Sequence, residues 1–374
     1  MLDILFDPNS PFLWILIIAI IAGAMAVISR PFLAYVKFVY PNAKFEAIGN
    51  PYLLPSNLQH LIDASSLEDF IEQLNTNKDY QIEGSNTTEV QRSLDQQLTK
   101  FINQMKQDSS TKMVPFYSIY KEKKDAFTIK QILHQVHNHG TINPETFNLT
   151  TITMKTKSLI LKLAEASEDT VPQILRDYGF SDTMVSQVVS DETLPLQIDA
   201  TVDAFFLQQL EKVKVPYKCK EGKHLYIARY KDILTIKLLL RAKHMNYHEK
   251  LCQLLFIGDG YEILHWKFLE LCKVESVQQL IENLEGTTYY SILKQSFEKT
   301  DEQSVQTLTT ALELLFTRLV KEISQQYYTT IGPTLRFLVS KETEIQNLKI
   351  ISKGVSEHLS SDLITPLCVL EVDT

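Results

Sequence analysis

One short pattern occurs three times in this chain, and it constrains the fold more than any other feature. It consists of an acidic residue, two other residues, Thr or Asn, Ile or Leu, and then Lys. The copies DAFTIKQIL, DILTIKLLL and EIQNLKIIS begin at Asp125, Asp232 and Glu344, at spacings of 107 and 112 residues. Because repetition at a regular period is typical of repeated structural units, the pattern predicts three related modules of about 105 residues each.

Two further segments precede each copy, always in the same order. The first combines a Ser helix cap with apolar residues and is clearest when Leu61–Tyr80 is compared with Leu271–Tyr290. A weaker copy, with Ser167 as its cap, lies at Leu163–Phe180. The second segment is an amphipathic helix with one apolar stripe. The three second segments begin at Val90, Ile198 and Val305. The predicted helical modules cover residues 31–145, 146–250 and 251–374.

Glycine is scarce, at 11 of the 374 residues, which leaves few tight turns and few loops that could hold a phosphate group. The chain contains neither the G-x-x-x-x-G-K-[ST] motif nor the G-x-G-x-x-G motif of nucleotide-binding sites. The formal net charge of −8 argues against a nucleic-acid partner, which would favour a basic surface. We therefore expect an all-α protein that requires no cofactor and does not hydrolyse nucleotides by itself.

The N-terminus carries the only long apolar run, Pro11–Ile28, within a stretch from Asn9 to Ser29 that has no charge. This length suits a helix that crosses a hydrocarbon core of roughly 30 Å. We therefore expect residues 1–30 to form a transmembrane anchor that contacts membrane lipid. A buried core helix is the alternative.

The charges on either side of this run predict its orientation. Asp3 and Asp7 precede it, whereas the corresponding region of a cleaved signal peptide is basic. Arg30, Lys37 and Lys44 follow it, and the positive-inside rule then places the body on the cytoplasmic side of the cell membrane.

The sequence offers no recognisable catalytic or metal site. No nucleophile is accompanied by a base and an orienting acid at a known spacing. His134, His137 and His139 lie close together, but no Cys or carboxylate in the right frame completes a metal site. The densest charge run, Lys121–Lys124, is typical of a solvent-exposed helix face. We therefore expect a protein without catalytic or metal-binding residues.

The charged residues of the repeated pattern are the candidate contact residues. They are Asp125, Lys130, Asp232, Lys237, Glu344 and Lys349. If three modules pack around a pseudo-threefold axis, the acid of one module can meet the Lys of its neighbour. The alternative is that each acid caps its own helix while each Lys stem covers apolar surface with its ammonium group in water. Arg241, together with Lys243, is a candidate partner contact, because a guanidinium group is a fixed, planar fork of donors.

The third segments resemble those of the C-type stalk protein, the "C" component, of archaeal A-type (V-type) ATP synthases, which is similar to the d component of vacuolar ATPases. The resemblance covers roughly residues 35 to 370 and is most specific in DILTIKLLLRAK at Asp232–Lys243 and EIQNLKII at Glu344–Ile351. Two other stretches also match, at Tyr40–Lys44 and Leu61–Leu74. The segment NAKFEAIGNPYL departs from the family because it is less basic, and the N-terminal span lies outside the shared part.

This resemblance implies a funnel of three helical bundles that lies on the membrane proteolipid ring and receives the lower end of the central stalk. It implies a rotor subunit without catalytic residues that couples stalk and ring during ion-driven ATP synthesis or ATP-driven ion pumping. The alternative function is a membrane-anchored helical-repeat scaffold or receptor that is unrelated to ATPases. A hydrolase or transferase is disfavoured because no catalytic site is recognisable.

Overall fold

The computed structural model describes residues 11–48, 53–298 and 304–370. All regular secondary structure in these ranges is helical, which confirms the all-α prediction. Residues 1–10 of the expected anchor and residues 371–374 of the third expected module lie outside the described ranges.

Eighteen α-helices, α1 to α18, follow one another along the described part of the chain. The first six are α1 (Pro11–Ile48), α2 (Pro55–Ile62), α3 (Leu67–Asn75), α4 (Thr87–Asp108), α5 (Val114–Lys124) and α6 (Ala126–His137). The next six are α7 (Met154–Ala164), α8 (Val171–Tyr178), α9 (Asp182–Val189), α10 (Pro195–Lys212), α11 (Lys220–His244) and α12 (Glu249–Gln253). The last six are α13 (His265–Lys273), α14 (Val277–Glu282), α15 (Tyr290–Glu298), α16 (Val305–Gln326), α17 (Gly332–Ser356) and α18 (Ser361–Ile364). Short 3₁₀ helices cover Thr111–Met113, Pro144–Thr146, Tyr217–Cys219 and Thr365–Leu367.

Two of the three predicted Ser caps begin a helix. The hydroxyl groups of Ser66 and Ser276 each accept a hydrogen bond, at 3.2 Å, from the backbone N–H three residues further on. The third prediction is wrong, because Ser167 does not cap α8. That helix begins only at Val171, where Pro172 lies in the first turn, the one part of a helix in which a missing N–H group is tolerated.

The second and third segments form the long helices of the body. The second segments are α4, α10 and α16, and the third segments of the later modules are α11 and α17, with 25 residues each. The third segment of the first module is divided at Asp125 into α5 and α6. Helix α10 packs against α5 and α6, α16 against α11, and α4 against α17. Each second segment therefore contacts the third segment of a different module.

Helix α1 has two parts with different surroundings. Its first part, Pro11–Ser29, has a mean hydropathy of 2.7 and none of it is buried, so its length and composition allow it to cross a membrane. This exposure argues against the alternative of a core helix. The second part packs on the body, where Phe38 and Phe45 are buried and the Phe45 ring stacks on Phe337 with 5.2 Å between centroids. One helix, continuous across residue 30, thus joins the apolar segment to the body.

Two apolar clusters hold the body together. The larger cluster takes side chains from α1–α5 and from α10–α18, and therefore spans all three expected modules. The smaller cluster lies among α6–α10 and includes Ile129, Leu159 and Phe206. All four cysteines are free thiols buried in the body.

Candidate functional site

Asp232 is fully buried in α11 and holds the loop that precedes α13. Its carboxylate accepts hydrogen bonds from the backbone N–H groups of Tyr261, Glu262 and Ile263 at 3.1, 2.8 and 2.9 Å. The Tyr289 hydroxyl donates a further bond at 2.7 Å. Hydrogen bonds to an ionised acceptor are stronger than neutral ones. Burial nevertheless raises the pKa of Asp232, because the loss of water around the carboxylate outweighs these donors.

Gly260 lies against the same carboxylate and leaves no room for a side chain. A Cβ atom at this position would lie 1.8 Å from Oδ1 of Asp232. Glycine is therefore required here by the close approach of a buried acid to the backbone.

Asp125 and Glu344 make equivalent contacts in the other two modules. The Asp125 carboxylate accepts hydrogen bonds from the backbone N–H and the hydroxyl of Thr153, at 2.9 and 2.6 Å, where α7 begins. Glu344 accepts from the backbone N–H of Leu53 at 3.1 Å, just before α2, and from the Tyr80 hydroxyl. Burial also raises the pKa of Asp125.

The three acids therefore connect the expected modules in one direction. Asp125 of the first module holds the chain at the start of the second, and Asp232 of the second holds the start of the third. Glu344 of the third holds the start of the first. Because the bonded groups are backbone N–H groups outside the helices, these acids do not act as caps of their own helices.

The lysines of the pattern form ion pairs with the second segments. Lys130 pairs with Asp203 of α10 at 2.7 Å. Lys237 pairs with Glu313 of α16 at 2.5 Å, and Lys349 pairs with Asp95 of α4 at 2.6 Å. Each lysine thus contacts an acid of the next module, but this acid belongs to the second segment and not to the repeated pattern.

Three residues that lie two positions before the acids meet at one point. The Lys123 ammonium group is 3.3 Å from a carboxylate oxygen of Glu342 and 4.6 Å from the ring centroid of Tyr230. Burial alone lowers the pKa of Lys123, but the charge of Glu342 raises it further, so the net change is upward. The Lys123 side chain is only 13% exposed, so the expectation that Lys121–Lys124 forms a solvent-exposed face is wrong for this residue.

The two remaining candidates differ in accessibility. Arg241 is half-exposed, with its guanidinium group 4.0 Å from a carboxylate oxygen of Asp199. Lys243 is 3% exposed and donates hydrogen bonds to the backbone carbonyls of Cys272 and Tyr247, at 2.8 and 3.3 Å. Only Arg241 of this pair therefore presents its charge to solvent, while Lys243 connects α11 to α13.

The clustered histidines have separate partners. His134 lies 2.9 Å from Asp199, His137 lies 3.2 Å from the backbone carbonyl of Val188, and His139 lies 3.0 Å from Asp191. Within the described ranges, no three His, Cys, Asp or Glu side chains come close enough together to hold a metal ion. The charged groups described above are paired or hydrogen-bonded, so their arrangement suits the joining of helices.

Sequence reasoning missed the cluster of Lys123, Tyr230 and Glu342. These residues share an offset from the repeated acid, but their types differ in all three modules. A cation, an aromatic ring and a carboxylate at equivalent positions form a complementary set around an axis. Complementary residue types at one offset, rather than identical ones, were the signal that could have identified them.

Comparison with known proteins points to one family. The model of the family described as ATP synthase (C/AC39) subunit matches residues 41–366. The chain belongs to this family. The resemblance seen in the repeated segments is therefore confirmed.

Several curated relatives match over nearly their whole length, and each is the C component of an A-type ATP synthase. That of Methanothermobacter thermautotrophicus is 28% identical over 349 residues, which are 90% of this chain and 89% of that protein. That of Methanosphaera stadtmanae is 25% identical over 361 residues, covering 91% and 90%. That of Methanocaldococcus jannaschii is 23% identical over 383 aligned residues, covering 96% and 94%.

Proposed function

We propose that the chain is a non-catalytic rotor subunit of an A-type ATP synthase, which couples the central stalk to the membrane proteolipid ring. Membership of the ATP synthase (C/AC39) subunit family supports a place in this complex. Coupling serves either ion-driven ATP synthesis or ATP-driven ion pumping. The protein needs stiffness and broad contact surfaces for this task, and it needs no reactive groups.

The observation that carries the proposal is the junction of Lys123, Tyr230 and Glu342. Equivalent positions of three repeats can meet at one point only if the repeats are arranged around a common axis. The acids and lysines of the pattern support the same arrangement, since each connects one module to the next. We infer three helical modules closed around an axis, consistent with a funnel that receives a stalk.

Helix α1 supplies the membrane attachment in this proposal. Its exposed apolar part, Pro11–Ser29, spans the bilayer, and Lys37 and Lys44 follow on the cytoplasmic side. The docked part, around Phe45, transmits the orientation of this span to the body. The body therefore lies at the cytoplasmic face of the cell membrane, beside the proteolipid ring.

Arg241 is the residue best placed to contact the stalk. Helix α11 begins at the end of the body nearest α1, and Arg241 lies 21 residues further along this helix, about 30 Å from the membrane side. Its guanidinium group is exposed, whereas Lys237 is committed to Glu313. We expect Arg241→Glu to weaken the assembly of the stalk on the ring while the detached head still hydrolyses ATP.

This expectation is measured by the amount of stalk and head retained on purified rings. Lys273→Glu, at an exposed lysine of α13, is the matched control for a change of two charge units. Equal retention for both variants would contradict a stalk contact at Arg241.

Affinity purification of the tagged chain from detergent-solubilised membranes tests the function as a whole. The proposal predicts that nucleotide-binding subunits and a proteolipid purify with the chain. Purification without any of them would favour the alternative of a membrane-anchored helical-repeat scaffold or receptor.

A further inference from the structure

Three loops and α1 converge at one end of the body. The Asn42 side chain of α1 donates hydrogen bonds to the carbonyls of Tyr328 and Thr330, at 2.9 and 3.1 Å, in the loop between α16 and α17. Lys44 pairs with Asp108 at 2.5 Å, where α4 gives way to the next loop. We call the surface formed by residues 108–113, 211–221 and 326–331 the proximal face.

The loop between α10 and α11 belongs to the same surface. Gly222, at the start of α11, packs so closely on the loop after α16 that a Cβ atom would lie 2.9 Å from Ile331. The polypeptide before it runs over the surface as Lys212–Lys220, with Tyr217 77% exposed. The proximal face therefore brings together the connections between the second and third segments of all three modules.

The proximal face is locally basic although the chain is acidic overall. Its exposed lysines, with that of the adjoining part of α1, are Lys37, Lys112, Lys212, Lys214, Lys218 and Lys220. The exposed carboxylates in the same segments are Glu46, Glu211 and Glu221, and Glu211 is bonded to Lys231 at 2.7 Å. Since the whole chain carries a net charge of −8, an excess of cations at this end is opposite to the average surface.

Helix α1 sets the distance between this face and the membrane. The apolar span ends at Ser29, and Phe38 is already buried by the body. Nine residues of helix correspond to about 13 Å. The polar layer of a bilayer extends roughly 5 to 8 Å beyond the hydrocarbon core, so the remaining gap is within the reach of a lysine side chain. The gap is also shorter than the Debye length of about 8 Å at physiological ionic strength.

We propose that the lysines of the proximal face bind the headgroups of anionic lipids in the leaflet from which α1 emerges. This inference rests on the proposed function, because it requires α1 to cross the membrane. Lys212, Lys214, Lys218 and Lys220 form the main contact, since basic residues next to a span attract anionic lipid. The exposed Tyr217 ring suits the interface between water and membrane. The contact fixes the body in a defined orientation above the bilayer.

The test uses the full chain reconstituted in vesicles, with one fluorophore on the proximal face. Because the four native cysteines are buried, Tyr217→Cys can be labelled selectively. The vesicles contain either phosphatidylcholine alone or equal parts of phosphatidylcholine and phosphatidylglycerol, each with a small amount of headgroup nitroxide lipid as a quencher. Trp266→Cys, at an exposed position that follows the loop held by Asp232, is the distant label control.

We expect at least about a twofold stronger quenching of the label at position 217 in the anionic vesicles, and a loss of this difference at high salt. The combined variant K212Q/K214Q/K218Q/K220Q abolishes the difference. The control K78Q/K162Q/K250Q/K273Q, at exposed lysines outside the proximal face, retains it. The label at position 266 is unaffected by lipid composition.

Quenching that is equal in both vesicles, while the chain resists extraction by alkaline carbonate, overturns this proposal but leaves the membrane anchor intact. Extraction of the chain by carbonate refutes the anchor and, with it, the lipid contact. Lysine-dependent binding to purified proteolipid rings in neutral lipid, without any effect of phosphatidylglycerol, assigns the face to a protein partner and also overturns the proposal.

Discussion

Three buried carboxylates perform the same task at the residue scale, although two are Asp and one is Glu. Each accepts hydrogen bonds from the backbone just before the first helix of another module. A backbone N–H group is present at every non-proline residue, so the partner of such an acid leaves no trace in the sequence. The repeated acids were therefore predictable, while the groups that they hold were not.

Replacement of Asp232 by Asn tests this task. We expect Asp232→Asn to lower the free energy of unfolding by about 3 kcal/mol, because an amide has one acceptor oxygen and its NH₂ group opposes a backbone donor. Asp177→Asn, at an exposed carboxylate bonded only to a side chain within its own helix, is the control and should change little. Denaturant unfolding followed by circular dichroism provides the measurement, and equal losses in both variants would contradict a special role for Asp232.

Lys341 gives the body a pH-dependent stability. Its ammonium group is 1% exposed and pairs with Glu344 at 2.9 Å, and burial lowers its pKa from 10.5 to about 8. Between pH 8 and 10.5 the unfolded chain therefore binds more protons at this residue than the folded chain does. Stability must rise with pH across this window, by about 3 kcal/mol for the full change in the pKa.

The expected rise is the difference between wild type and Lys341→Met, measured by unfolding at pH 7.5 and at pH 10. Lys250→Met, at an exposed lysine of α12, corrects for the general effect of removing a lysine. If wild type and Lys341→Met have parallel pH profiles, the lowered pKa is wrong.

At the scale of the helices, the ion pairs between modules set which helices lie side by side. Lys349 of α17 and Asp95 of α4 are both about three-quarters buried, at 26% and 29% exposure. We expect Lys349→Glu and Asp95→Lys to destabilise singly, and the double variant to recover about 1 kcal/mol relative to the sum. Lys353→Glu, which breaks a pair within α17, should cost little. Strict additivity of the two changes in thermal unfolding would argue against the pair.

The long helices were predictable from the sequence because their apolar spacing is strong, as for α4, α10 and α16. Prediction failed where local competition decides, as at Ser167, where a proline delays the start of α8. It also failed at Lys123, since a charge run carries no information about what packs against it. The partners Tyr230 and Glu342 lie more than one hundred residues away in sequence, and only the fold brings them to the same place.

At the scale of the whole molecule, we infer a stiff body that is attached at both of its ends. Helix α1 and the proximal face attach it to the membrane, and the opposite end, near Arg241, is free to receive the stalk. Each connection between modules uses buried or half-buried charged groups, which resist rearrangement because separated partners would lose compensation in a poorly hydrated interior. Torque applied at one end is therefore transmitted to the other.

Coupling by this chain is measured most directly as the number of ions transported per ATP hydrolysed by the complex in sealed vesicles. Complexes are prepared with the wild-type chain, without the chain, and with Lys123→Glu, which places two carboxylates at the shared junction. We predict that hydrolysis by the head continues in all three while transport stops without the chain and falls in the variant. Undiminished transport in the absence of the chain, or loss of hydrolysis by the head itself, would contradict a coupling role.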